Sequence, residues 1–264
     1  MPHADHPSAL QSFDSLAASL GGRRPAVFLD YDGTLTPIVA RPDLAVLDPE
    51  TRAAVAALAQ RCPVAVVSGR DLDDVRGLVG IDTLVYAGSH GYDMRGPGLR
   101  TQIGLEYVPA LDAAEADLRA KLAGVPGVLV ERKRFAIAVH TRQADPAAKP
   151  AVAEAVRAVV AAHADLRLTG GKEIHELRPN LPWDKGRAVL ALIDALGLRD
   201  AVPLYLGDDE TDEDAFRALD GRGIGVRVMD TPGPTAAGWS LRDPAEVRAF
   251  LERLTEYIGQ FTGR

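Results

Sequence analysis

The chain has 264 residues, 47% of them hydrophobic and 25% charged, the make-up of a folded globular protein with room for one to two domains. Lys and Arg number 30 against 37 Asp and Glu, and the net charge of −7 argues against bulk attraction to nucleic acid or an anionic membrane and for small-molecule chemistry. The single cysteine, Cys62, permits no internal disulfide and fits a reduced cytoplasm; there is no secretion signal pattern over 1–22 and no run approaching the ~18 apolar residues of a membrane span.

Residues 1–22 read as an N-terminal tail. An apolar run over 26–29, preceded by Arg23, Arg24 and Pro25 and followed by an acid- and Gly-rich segment, predicts a buried strand. The alanine-rich stretch 53–58 predicts a helix and 63–67 a second strand ending at Ser68-Gly69-Arg70. A helix over 71–79 with Asp71 as N-cap and a third strand over 83–86, closing at Gly88, complete a βαβαβ order. That order specifies a parallel sheet covered on both faces, with right-handed crossovers. From about 104 the rhythm changes to a helix over 111–122, strands near 128–130 and 135–140, a helix over about 146–163 and strands at 167–168 and 174–177. Two αββ units with hairpins at Lys133-Arg134 and Gly170-Gly171 predict an antiparallel sheet with helices on one side, inserted over 104–180. Alternation then returns with a helix over 185–196, a strand over 202–206, a helix over 211–219, a strand over 223–228 and an amphipathic helix over 244–258. The fold class is therefore α/β: a Rossmannoid parallel core from 23–103 and 181–264, carrying an α+β insert.

Chemistry gathers at strand ends. Asp30 and Asp32, in Asp30-Tyr31-Asp32-Gly33-Thr34, leave the first strand at the carboxyl edge of the sheet, where such sheets bind ligands. Two neighbouring acids repel unless a cation lies between them, and Mg²⁺ suits carboxylate oxygens, although an Asp-Gly turn would use the same letters. A second acidic run, Gly207-Asp208-Asp209-Glu210-Thr211-Asp212-Glu213-Asp214, follows another apolar strand. Glu210, Glu213 and Asp214 suit the positive end of a helix dipole. If the two loops adjoin, Asp30, Asp32 and Asp208 converge on one ion, with Asp209 and Asp212 in its outer sphere. Ser68 and the N–H groups that follow it, Gly69 first, form a small anion site or a plain turn. Lys185 opens a helix where its ammonium would balance a carboxylate and a phosphate. His90, in a Gly-flanked loop, faces the cleft or satisfies backbone groups. Trp239 with Leu241, His163 and Cys62 read as structural.

In this order the four elements resemble the haloacid dehalogenase superfamily. The resemblance implies Asp30 as nucleophile, Asp32 as general acid and base, Ser68 and Lys185 as phosphoryl ligands and Asp208 as completing a Mg²⁺ site. Further motifs resemble trehalose-6-phosphate phosphatases with their C2-type cap: Gly88-Ser89-His90-Gly91, Glu131-Arg132-Lys133, Ala138-Val139-His140-Thr141-Arg142, Gly171-Lys172-Glu173, Glu176-Leu177-Arg178-Pro179 and Trp183-Asp184-Lys185-Gly186. That family implies a cap that closes over a disaccharide and grips its hydroxyls through Glu131, Lys133, Arg142 and Glu176, with His90 beside them. Thr141 stands where the family often carries an aromatic. The implied function is hydrolysis of trehalose 6-phosphate, with a functional link to the synthase that makes it. Glucosylglycerol phosphate or sucrose phosphate hydrolysis, a hexose phosphomutase and a non-catalytic sugar-phosphate sensor are the alternatives.

Overall fold

In the computed structural model, which describes residues 6–39, 41–171 and 173–260, the chain separates into two units, Met1–Thr101 with Trp183–Arg264, and Gln102–Pro182. In chain order the elements are α1 (Phe13–Ser19), β1 (Pro25–Leu29), α2 (Pro49–Ala59), β2 (Val64–Val67), α3 (Leu72–Val79), β3 (Val85–Gly88), β4 (Asp93–Gly96), β5 (Leu99–Gln102), α4 (Val108–Leu122), β6 (Leu129–Lys133), β7 (Ala136–His140), α5 (Lys149–Ala162), β8 (Leu166–Gly171), β9 (Ile174–Pro179), α6 (Lys185–Ala195), β10 (Val202–Gly207), α7 (Asp212–Ala218), β11 (Ile224–Val228), β12 (Trp239–Leu241) and α8 (Pro244–Gly259).

The first unit is built on a sheet of order β12-β11-β10-β1-β2-β3-β4-β5. It is parallel from β12 to β3, and β4 then turns back antiparallel to β3. Every residue of β1, β2, β3 and β10 is buried, which explains why their sequences run apolar without alternation: helices cover both faces. The second unit is an antiparallel sheet of order β6-β7-β9-β8. Its alternate residues Val130, Ile137, Val139, Leu166 and Leu177 pack with Leu111 and Leu118 of α4 and Val156 of α5. The intervening residues Glu131, Lys133, His140, Glu176 and Arg178 therefore share the other face.

Three expectations change. The segment read as a tail contains α1, whose Phe13, Leu16, Ala17 and neighbouring Leu20 recur at helical spacing and lie in the first unit's core. Phe13 meets Phe250 and Tyr257 edge to face at 5.8 Å. α2 begins four residues before the predicted 53, because Asp48 accepts from Glu50 N and Thr51 N and Pro49 occupies the first turn. Asp71 precedes α3 as expected, but its carboxylate accepts the Ser89 hydroxyl at 2.8 Å instead of capping the helix. The hairpin β4–β5 and the three-residue β12 were not predicted. Among the described residues no helix is long and apolar enough to cross a membrane.

Truncating Phe13 to Ala should cost about 3–4 kcal/mol in chemical denaturation, the range for a buried aromatic; a dispensable tail would show no change.

Candidate active site

Strand register assembles the site. Leu29 pairs with Leu206 on one side and Val66 on the other, so the residues that leave β1, β10 and β2 (Asp30, Asp208 and Ser68) emerge side by side at one sheet edge. Gly33 makes the tight turn after β1: its φ is +80°, and a Cβ there would sit 2.1 Å from Asp208 Oδ2, so only glycine lets the two acidic loops approach.

Lys185, at the start of α6, is 2% exposed and donates to Asp30 Oδ1 at 2.8 Å and to Asp212 Oδ1 at 2.7 Å. Asp212 is fully buried and accepts three further bonds: Tyr205 OH at 2.6 Å on Oδ1, and Asp208 N at 2.9 Å and Asp209 N at 3.0 Å on Oδ2. Four donors fill the roughly four acceptor positions of a carboxylate. Asp209 turns to its own loop, with Oδ1 accepting from Thr211 N at 2.8 Å, Thr211 Oγ1 at 2.7 Å and Asp212 N at 3.2 Å, and it lies 3.9 Å from Lys185 Nζ.

Burial pushes the Asp30 carboxyl well above the ordinary range, and the Asp212 and Asp208 charges add to this against the pull of Lys185. Burial, then Asp212 and Asp209, raise Asp208 to about 7. Burial raises Asp212 as well, in spite of Lys185. Burial opposes the Lys185 charge, but Asp212 and Asp30 more than offset it and hold the ammonium. Asp209, which burial alone would raise, is kept low by Lys185 and by the Thr211 hydrogen bond. Four carboxylates against one buried ammonium leave an excess of negative charge that a divalent cation would neutralise.

The donor set fits such an ion. Asp30, Asp208 and Asp212 each bring one oxygen to within 4.8 Å of the others, and hard carboxylate oxygens suit a hard cation. With Asp212's acceptor positions taken, Asp30 and Asp208 are the carboxylates with positions to spare. The Asp32 carboxylate lies outside this group: Arg70 Nε and Nη2 hold its two oxygens at 2.7 and 2.8 Å.

Ser68 is buried, and its Oγ accepts from Arg70 N at 3.2 Å. Gly69 lies under the His90 ring, whose Cε1 and Nε2 would be 2.8 Å from a Cβ at that position. His90 is buried with φ of +56°, its N–H donates to Ser68 O at 2.8 Å, and its charge helps hold Asp209 low. Tyr205 and Arg70 were missed as site residues. A lone tyrosine within an otherwise aliphatic strand, whose hydroxyl must find a buried partner, was the available signal for the first.

In the second unit, Glu131, Lys133 and Glu176 share the polar sheet face. Lys133 Nζ donates to Glu176 Oε1 at 3.2 Å, and Arg178 Nε donates to Glu176 Oε2 at 2.6 Å. Glu131 Oε2 lies 2.7 Å from His140 Nε2, and that hydrogen bond lowers the Glu131 pKa. Arg142 is in an exposed position after β7, where its charge acts on Glu173. Lys172 lies outside the described residues.

A parallel sheet of this order, with acids and a lysine gathered at its carboxyl edge and an α+β insert, is that of a haloacid dehalogenase-like hydrolase. The trehalose-phosphatase family model matches residues 28–245, and the chain belongs to that family. "Probable trehalose-phosphate phosphatase 4" of Oryza sativa subsp. japonica is 44% identical over 262 residues, covering 96% of this chain and 71% of that protein. "Probable trehalose-phosphate phosphatase 9" of the same organism is 46% identical over 278 residues, covering 94% and 74%. The solved C-terminal domain of trehalose-6-phosphate phosphatase from C. albicans superposes with a TM-score of 0.76 at 25% identity, covering 96% of this chain and 99% of that one. The chain is thus a phosphoric monoester hydrolase.

Because a cation needs Asp208 ionised, protons should compete with it below about pH 7. A carboxyl whose pKa rises on folding from 3.8 to about 7 binds more protons folded than unfolded between those values. The metal-free protein therefore loses this contribution to stability as pH rises through that window. With Mg²⁺ as probe, the ion-induced rise in Tm should be larger at pH 8 than at pH 6; an equal rise at both would separate Asp208 from the ion.

Proposed function

We propose that the chain hydrolyses trehalose 6-phosphate to trehalose and phosphate through an aspartyl-phosphate on Asp30, with Mg²⁺ as cofactor. The observation that carries this reading is the buried Lys185 bridging Asp30 and Asp212 at the end of β1. Asp30 attacks phosphorus through Oδ2, the oxygen that Lys185 does not engage. The P–O bond to the sugar breaks as the Asp30 O–P bond forms, and Asp32 gives the departing oxygen a proton. In the second half, Asp32 takes a proton from water as its oxygen bonds to phosphorus and the Asp30 O–P bond breaks.

Lys185 Nζ and the Ser68 hydroxyl, with the N–H of Gly69, steady the phosphoryl oxygens. Mg²⁺, held by Asp30 and Asp208, supplies charge neutralisation at those oxygens when bound. Tyr205 and the N–H groups of Asp208 and Asp209 keep Asp212 in place, and Asp212 in turn fixes Lys185.

Glu131, Lys133, Arg142 and Glu176 take the sugar hydroxyls, carboxylates accepting and cations donating; His90, in the loop after β3, is a further substrate-binding residue of this reading. This clamp favours a disaccharide over a bare phosphate ester. The reading includes a cytoplasmic setting and a synthase that supplies the phosphorylated disaccharide.

Asp30→Asn should lower phosphate release from trehalose 6-phosphate by at least about 10³-fold in the Mg²⁺-loaded enzyme, measured by direct phosphate assay; substantial residual turnover would remove Asp30 from the nucleophile's role. Glu131→Ala should raise KM for the disaccharide phosphate about tenfold, the loss of one or two hydrogen bonds, while kcat/KM for p-nitrophenyl phosphate stays within twofold. Parallel losses on both substrates would make Glu131 architectural, and faster turnover of sucrose phosphate would reassign the sugar.

A further inference from the structure

In the proposed mechanism Asp32 carries both proton transfers, and the role inferred for its neighbour Arg70 rests on that reading. The Asp32 carboxylate is held by a two-point fork, Arg70 Nε to Oδ2 at 2.7 Å and Nη2 to Oδ1 at 2.8 Å. The third guanidinium nitrogen, Nη1, donates to Asp74 Oδ2 at 2.9 Å on α3, and the guanidinium carbon lies 5.4 Å from the centre of the buried Tyr31 ring. The arginine backbone is fixed as well: its N–H donates to Ser68 Oγ at 3.2 Å and its carbonyl accepts from Ser89 N at 2.6 Å. Accessibility divides the pair, since the Arg70 side chain is 10% exposed and that of Asp32 42%.

A half-exposed aspartate has few contacts of its own to select one rotamer, and a reactive group misplaced by about 1 Å can lose roughly 10²-fold in rate. A planar guanidinium binding both oxygens sets the plane and the distance of the carboxylate together; an ammonium sets neither. The fork uses one lone pair on each oxygen and leaves a second on each. Asp32 can therefore give and take a proton while Arg70 stays in place.

We propose that Arg70 is the positioning residue of the proton-transfer machinery: anchored by Asp74, Tyr31 and the Ser68 loop, it holds the Asp32 carboxylate in the orientation from which the leaving oxygen is protonated. Arg70 forms no bond to phosphorus and exchanges no proton. The proton passes from Asp32 to the leaving oxygen as the P–O bond breaks, and from water to Asp32 as the Asp30 O–P bond is cleaved.

The leaving group gives the test. Nitrophenolate departs without a proton, whereas a sugar alkoxide needs one. In rapid-quench experiments on the Mg²⁺-loaded enzyme, Arg70→Ala should slow phosphoenzyme formation from trehalose 6-phosphate about 10²-fold and leave the p-nitrophenyl phosphate burst within about threefold of wild type, with breakdown of the phosphoenzyme slowed equally from both esters. Arg70→Lys, which keeps the charge and loses the fork, should show the same split in weaker form. Equal slowing of both bursts in the two variants, as a disordered site would give, overturns the assignment; so do wild-type rates for both esters. Inversion of configuration at phosphorus in the wild type, the outcome of direct attack by water, would instead defeat the aspartyl-phosphate reading and this proposal with it, and is recognisable because it needs no variant.

Discussion

The carboxyl edge of the parallel sheet depends on one buried ammonium. Lys185 stands between Asp30 and Asp212 where solvent cannot stabilise any of the three charges, and a buried ion is tolerable only when its partners and remaining hydrogen bonds are complete. Asp212 meets that condition fully, with four donors on two oxygens. Asp30 does not: burial and its acidic neighbours work against its ionised form, and Lys185 compensates only in part. The first unit therefore spends its folding energy on an arrangement that a further positive charge would relieve.

Two aspartates separated by a single residue meet different surroundings because the chain turns between them. Asp30 ends β1 inside the sheet and faces Lys185. Tyr31 is buried beneath Arg70 and donates its hydroxyl to Ala45 O at 2.7 Å. Asp32 comes out half-exposed against Arg70, and Gly33, with its positive φ, brings the loop past Asp208. The two carboxylates thus occupy different environments, one buried against an ammonium and one half-exposed in a guanidinium fork, the kind of difference by which carboxylate pairs in other enzymes divide their roles.

The sequence made this much legible because strand ends are local features: an apolar run followed by acids, by Ser-Gly or by a capped lysine tells where those side chains emerge. What remained hidden were pairings between distant positions. Arg70 and Asp32 are 38 residues apart, and no periodicity announces their ion pair. The apolar spacing of Phe13, Leu16, Ala17 and Leu20 did announce a helix, but its short length let it pass for a tail. β12 has only three residues, and β4 and β5 are polar strands around Pro97-Gly98, so none carries an apolar pattern strong enough to mark it.

The polar face of the second unit shows how a neutral residue shapes charge. Lys133 on β6 reaches Glu176 on β9 although β7 lies between them. Adjacent strands are about 4.8 Å apart, so the two backbones are separated by nearly 10 Å, and the pair can form only over small side chains. β7 provides them: Ala138 stands between Glu131 and Glu176 in the register, and Ala136 is opposite Lys133. A leucine at 138 would occupy the space through which lysine and glutamate meet, leaving a buried carboxylate with Arg178 as its main partner. The alanines therefore do more than satisfy β-sheet packing. They keep the polar side chains of the flanking strands in mutual contact, so the donors and acceptors of this face are already fixed and would have little conformational freedom to lose to a polar ligand.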